Sequence, residues 1–238
     1  MSMKWEELKV YRPLLREELR PAYTDFTKMI AGNFVDFGFK LVGMKLIRQS
    51  QDLFHIIHID SRGTWTGIKN YYKMEIGLAS IYDNQTVEVT GAKKFEDIAQ
   101  NIRDYYRITK EYSLLADFIS RKLKEYILPY FAKFESSKDV LRQRSFFKLD
   151  WTSELQQRNR NLIMYCELAN QVDIDSTFIL DEKIAYFKKI YPQPTPGEYE
   201  YFRELEYLKE LLQNKRWDLI IDLLTSKKAA VCKRLKIK

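Results

Sequence analysis

Apolar residues recur at steps of three and four at both ends of this chain, and at steps of two in a stretch between. Trp5, Leu8, Tyr11, Leu15 and Leu19 share one helical face, and Pro13 predicts a kink or a break within it. Phe26, Met29, Ile30, Phe34 and Phe37 repeat the pattern, with Thr24 placed as an N-cap and Gly38 where a glycine ends a helix. The period then becomes two. In Tyr72-Lys73-Met74-Glu75-Ile76-Gly77-Leu78 apolar and polar residues alternate, as in a half-buried strand. Stretches 39–48 and 52–61 read as strands apolar on both faces, and Val87 and Val89 mark a short fourth. Their short connections favour an antiparallel meander with helix 24–37 on one face.

Beyond residue 91 the helical period returns. Phe95, Ile98, Ile102 and Tyr105 make one stripe; Tyr112, Leu115, Ile119, Leu123, Ile127, Tyr130 and Phe134 make a longer one with a bend expected at Pro129. Ser153-x-x-Gln156 reads as a capping box before Leu155, Leu162, Cys166 and Ala169. Leu180, Ile184, Phe187 and Tyr191 form the next stripe. Pro192, Pro194 and Pro196 then make a stiff connector to helices near 198–213 and 215–226. Seven of the eight glycines precede residue 92, which fits strands and turns first and helices after. The expected fold is α+β: a helix on a four-stranded antiparallel sheet over 1–91, an all-helical portion over 92–226, and a basic tail over 227–238.

Composition narrows the function more than it defines it. The 238 residues, 45% hydrophobic and 31% charged, suit a globular protein of one large domain or two small ones. The N-terminus shows no apolar core of signal-peptide length, and no apolar run approaches a membrane span. Two cysteines, Cys166 and Cys232, encode neither a disulfide framework nor a thiolate metal cage, so a reduced, cytoplasmic protein is expected. Lys227, Lys228, Lys233, Arg234, Lys236 and Lys238 account for six units of the net charge of +7. The rest of the chain is nearly neutral, which argues against a broad nucleic-acid-binding face.

Residues 26–82 resemble the uncharacterised bacterial domain-of-unknown-function family DUF4304. The resemblance runs through Phe34-Val35-Asp36-Phe37, the Gly38-Phe39-Lys40 turn, Asp52-Leu53-Phe54-His55-Ile56-Ile57 and Met74-Glu75-Ile76-Gly77-Leu78. It implies a helix followed by an antiparallel sheet and carries no activity. The family continues with polar amides near the end of the second strand, where this chain has His58 and Asp60.

The chemical candidates are few. His55 and His58 are the only histidines, and odd spacing on a strand sends them to opposite faces, so one ion cannot take both. One partly buried, hydrogen-bonded histidine and one solvated histidine are expected. His58, Asp60 and Arg62 share a face and could line a polar pocket. Gly38-x-x-x-x-Gly43-Met44-Lys45 imitates a phosphate loop, but the lysine is displaced, no Ser or Thr follows it, and no helix opens there. Glu198, Glu200, Glu204, Glu206 and Glu210 read as a solvated helix face. Trp65 in Gly63-Thr64-Trp65-Thr66-Gly67 is a candidate partner contact, with packing over the sheet edge as the plainer reading. No cofactor fingerprint and no metal-ligand set is encoded. The leading expectation is therefore a non-enzymatic module whose partner is another protein. The alternative is nucleic-acid binding through the six tail cations, extended by Arg142, Arg144, Lys148, Arg158 and Arg160. An enzyme with a pocket at His58 and Asp60 is the third.

Overall fold

The computed structural model describes residues 4–60, 71–83, 90–100, 102–103, 106–147 and 154–236. The fold is α+β, and the chain divides into two compact units. The first comprises Met1–Ala79 and Gly91–Glu135; the second comprises Ser80–Thr90 and Ser136–Lys238. The division therefore falls at 135/136 with an exchange at residues 80–90, not at residue 91. The long helical stripe after residue 111 belongs with the sheet, because α3 (Tyr112–Lys122) packs on α1 (Arg16–Gly32).

In the first unit α1 is one helix where two were expected. It runs through Pro21, and Thr24 sits inside it, donating to the Arg20 carbonyl at 3.0 Å instead of capping. The bond lost at Pro21 is offset by Ala22, Tyr23, Phe26, Thr27 and Ile30, all buried along one face. The Trp5 segment forms only a single turn of 3-10 helix, Trp5–Glu7, and holds its place by ring packing: Trp5 stacks on Phe118 with centroids 5.1 Å apart. Pro13 is bridged to Thr109 rather than kinking a helix.

The sheet has the order β1-β2-β3-β4-β5, with β6 also paired on β4. Its strands are β1 (Lys40–Val42), β2 (Lys45–Ser50), β3 (Leu53–Asp60), β4 (Tyr71–Ser80), β5 (Thr90–Lys94) and β6 (Tyr106–Arg107). Among the described residues, six strands thus replace the expected four. The stretch 39–48 splits because Gly43, at φ +60°, turns the chain between paired Val42 and Lys45. Val87 and Val89 lie outside the described residues, as do Arg62 and Trp65. Tyr72, Met74, Ile76 and Leu78 are buried, as their alternation predicts. Phe26 meets Tyr72 at 4.7 Å, and Phe34, Phe39, Phe131 and His55 continue the ring-lined core. The short helix α2 (Phe95–Ile98) takes the place of the longer one expected there. At the end of α3 a π-turn, Leu123–Ile127, leads into α4 (Leu128–Phe131); Pro129 has no N–H to continue the α-helical ladder.

Among the described residues from 136 onward, the regular elements of the second unit are all helical. It contains α5 (Ser137–Arg142), α6 (Glu154–Ala169), α7 (Ser176–Ile190), α8 (Pro196–Gln213) and α9 (Trp217–Leu235). Helix α6 packs against α5, α7 and α9, and α8 packs against α7 and α9, so the four long helices close a ring. Thr195 caps α8, with Glu198 accepting from the Thr195 backbone N–H and hydroxyl, both at 2.7 Å. Helix α9 continues to Leu235, nine residues beyond the expected end at 226, because Lys227 and Val231 are drawn into the unit's interior. No helix among the described residues is long and apolar enough to cross a membrane.

Candidate functional site

The two histidines separate as strand geometry requires. His55 is fully buried: its Nε2 donates to the Phe134 carbonyl at 2.7 Å, and its Nδ1 accepts from Arg48. That pairing fixes the neutral tautomer protonated at Nε2. Burial, with the Arg48 charge beside it, pushes the ring down from 6.5 to about 4, against the opposing pull of the Phe134 carbonyl and Glu135. His55 is structural. His58 lies beside Glu75, Nδ1 to Oε2 at 3.2 Å. Lys73 reaches both Glu75, at 3.5 Å, and Asp60, at 3.7 Å. The predicted pair His58 and Asp60 is thus brought together, and β4 adds Lys73 and Glu75 to it. Lys45 stands opposite His58 in the β2–β3 register. The position of Arg62 in this group falls outside the described residues. Among the described residues no cluster of three His, Cys, Asp or Glu side chains could hold a metal ion.

A second polar cluster lies among the ring of helices, and the sequence did not single it out. Asn161 and Tyr165 sit one turn apart on α6, Lys183 comes from α7, Tyr201 and Glu204 from α8, and Lys227 from α9. Lys227 is only 4% exposed, binds the Glu204 carboxylate, and sits 5.8 Å from the centre of the Tyr165 ring. Lys183, half-buried, donates to the Asn161 amide oxygen at 2.5 Å and lies 5.8 Å from the centre of the Tyr201 ring. The Asn161 amide in turn reaches Asp83 at 3.5 Å. Burial pushes the Lys183 amine down to about 8, against the pull of Asp83 and Glu204. Burial also raises the Tyr165 and Tyr201 hydroxyls, and the two carboxylates add to the effect. Each partner is at least eighteen residues away along the chain from the one it meets. No local spacing could have revealed the cluster.

This geometry revises the phosphate-contact set. Lys227 is committed to Glu204 and cannot meet a ligand phosphate. Lys228, Lys233, Arg234 and Lys236 are exposed on the end of α9, and Lys238 lies outside the described residues. Of the residues proposed to extend that surface, Arg160 pairs with Glu182, and Arg144 with Asp175. The glutamate run of α8 is likewise partly engaged: Glu198 caps, Glu204 binds Lys227, and Glu206 lies 3.5 Å from Lys188.

Four large apolar residues stand out from α7 and the bend before it: Ile174, in that bend, is 61% exposed, and on the helix Phe178 is 58%, Tyr186 46% and Ile190 46% exposed, with Asp181, Lys188 and Lys189 exposed among them. Ile179, Leu180 and Phe187 are buried. Tyr199 and Tyr207, two turns apart on α8, are also about half exposed. Comparison with protein-family models, curated proteins and solved structures finds no match to this chain.

Proposed function

We propose that this protein is a binding module whose partner is another protein, docked on the outer face of α7. The exposed line of Ile174, Phe178, Tyr186 and Ile190 carries the reading. Scattered apolar residues are ordinary on a protein surface, but four large ones exposed on one helix and the bend that leads into it supply the apolar centre of an interface. Glu182 within the line and the neighbouring Lys189 supply polar contacts at its rim. Cys166, buried, and Cys232, half-buried, are joined in no disulfide, which suits a reducing compartment, and the cytoplasm is the proposed location. The resemblance of residues 26–82 to the bacterial family concerns the sheet and bears on no partner.

The double variant Phe178→Asp/Tyr186→Asp tests this. Both side chains are about half exposed, so the fold is expected to change by less than about 1 kcal/mol per site. Recovery of the co-purifying partner is expected to fall at least tenfold, since aromatic anchors are worth about 2 kcal/mol or more each when buried in an interface. Unchanged recovery from the folded variant would overturn the proposal. A second reading rests on the exposed Lys228, Lys233, Arg234 and Lys236: material lost on nuclease treatment and insensitive to the α7 substitutions would favour nucleic acid.

A further inference from the structure

The lysine at the centre of the helical cluster is held differently from its neighbours. Arg160 and Lys227, both buried among these helices, each bind a carboxylate, Glu182 and Glu204 respectively. Lys183 donates instead to a neutral amide oxygen, that of Asn161, with the Tyr201 ring alongside. An amide and a ring compensate an ammonium far less than a carboxylate does, so this setting favours the free amine. The depression of Lys183 to about 8 agrees with that reading. A free amine among acid–base groups, with an aromatic ring alongside and helices around it, is an arrangement that captures carbonyl compounds. Asp83 and Glu204, set against Lys183 and Lys227, leave the cluster without the surplus positive charge that a phosphate or carboxylate ligand would need.

We propose that the Lys183 amine is a carbonyl-reactive nucleophile, seated in the four-helix cluster to form an imine with a small, uncharged aldehyde or ketone. The carboxylates of Asp83 and Glu204 are near enough for their charge to act on Lys183, and one of them takes the ammonium proton. The nitrogen lone pair forms the C–N bond, the carbonyl π pair moves to oxygen, and the proton that the nitrogen gives up goes to that oxygen, which makes the carbinolamine. The carboxylic acid then protonates that hydroxyl, which leaves as water while the C=N bond forms. Ammonium and carbonyl become protonated imine and water, with no change in oxidation state.

The test uses the full chain with propanal and cyanoborohydride at pH 7.5; hydride reduction makes the adduct permanent, and peptide mapping locates it. At that pH an amine titrating near 8 has roughly two hundred times the free-base fraction of an ordinary lysine. Allowing for its restricted access, Lys183 is expected to react at least tenfold faster than Lys188 and Lys189, its exposed neighbours on α7, with half-maximal reactivity at about pH 8. Asn161→Asp keeps the lysine but gives its ammonium a carboxylate. It is expected to slow Lys183 about fivefold or more while Lys188 and Lys189 react as before. Reaction of Lys183 no faster than Lys188 and Lys189, or an unchanged rate in Asn161→Asp, would overturn the proposal.

Discussion

Replacing Glu167 with alanine is expected to destabilise the helical unit by about 3–5 kcal/mol, the range for removing one partner from a buried charged network. Glu167 sits on α6 with no solvent exposure and closes the N-terminus of α7. Its carboxylate accepts from the backbone N–H groups of Ile174 at 3.2 Å, Asp175 at 2.9 Å and Ser176 at 2.8 Å, and from the Ser176 hydroxyl at 2.7 Å. Arg144 stands 4.0 Å away and shares its charge between Glu167 and Asp175. Alanine would take the acceptor from four donors at once, the two of Ser176 fully buried, leave Arg144 to Asp175 alone, and remove the negative charge from the positive end of the helix. Glu167→Gln keeps one acceptor oxygen and the side-chain volume, so a smaller loss, about 1–3 kcal/mol, is expected. Urea unfolding followed by far-ultraviolet circular dichroism measures both. A loss below about 1 kcal/mol for the alanine variant would show that the network does not hold α7 in place.

The second large effect is a loss of stability in acid that traces to one ring. In the folded first unit His55 titrates near 4; in the unfolded chain it titrates near 6.5. The fold therefore holds the neutral ring, and this contribution is complete above pH 6.5 and lost as the pH falls from there toward 4. An interval of that size corresponds to about 3 kcal/mol. The cause is geometric. A proton on Nδ1 would displace the acceptor that Arg48 uses and place a cation against the guanidinium, in a core where the ring lies flat on Phe131 at 4.5 Å. Glu135, 3.6 Å from Arg48, offsets only part of that repulsion. His55→Gln retains a donor for Phe134 and an acceptor for Arg48 but gains no proton. Its unfolding free energy between pH 7 and 4 is expected to fall by about 3 kcal/mol less than that of the unaltered protein. Parallel profiles for the two would contradict this account.

These two residues also mark what sequence could and could not disclose. Opposite faces for His55 and His58 follow from strand period alone, and the structure places one in the core and one beside Glu75. The burial of Tyr72, Met74, Ile76 and Leu78 was legible for the same reason: alternation is a local signal. Helix boundaries were less so. Thr24 looks like the start of a new helix, yet buried contacts carry α1 through it and through Pro21, and packing outweighed the local preference. Gly43 was visible, but its positive φ, which cuts one expected strand into two, is a property of the turn rather than of the residue. Glu167 sits among the apolar positions of α6 with nothing in its neighbourhood to mark it, and its partners lie across a turn on the next helix. The Lys183 cluster was hidden more thoroughly: its members are gathered by helix packing from five separate segments. Lys227 was grouped with a solvated tail because a run of like charge in sequence says nothing about which cation turns inward.

The line of large apolar residues on α7 is the feature on which the functional reading depends. It is tested most directly by placing a photo-crosslinking amino acid at position 178 and, as a control on an exposed turn, at position 214, in cells that make the protein. The account predicts one discrete protein adduct from position 178, absent from position 214 and lost when Ile190→Asp is added. Equal, diffuse crosslinking from both positions would contradict it, and an adduct of twice the chain's own mass would replace the foreign partner with a second copy.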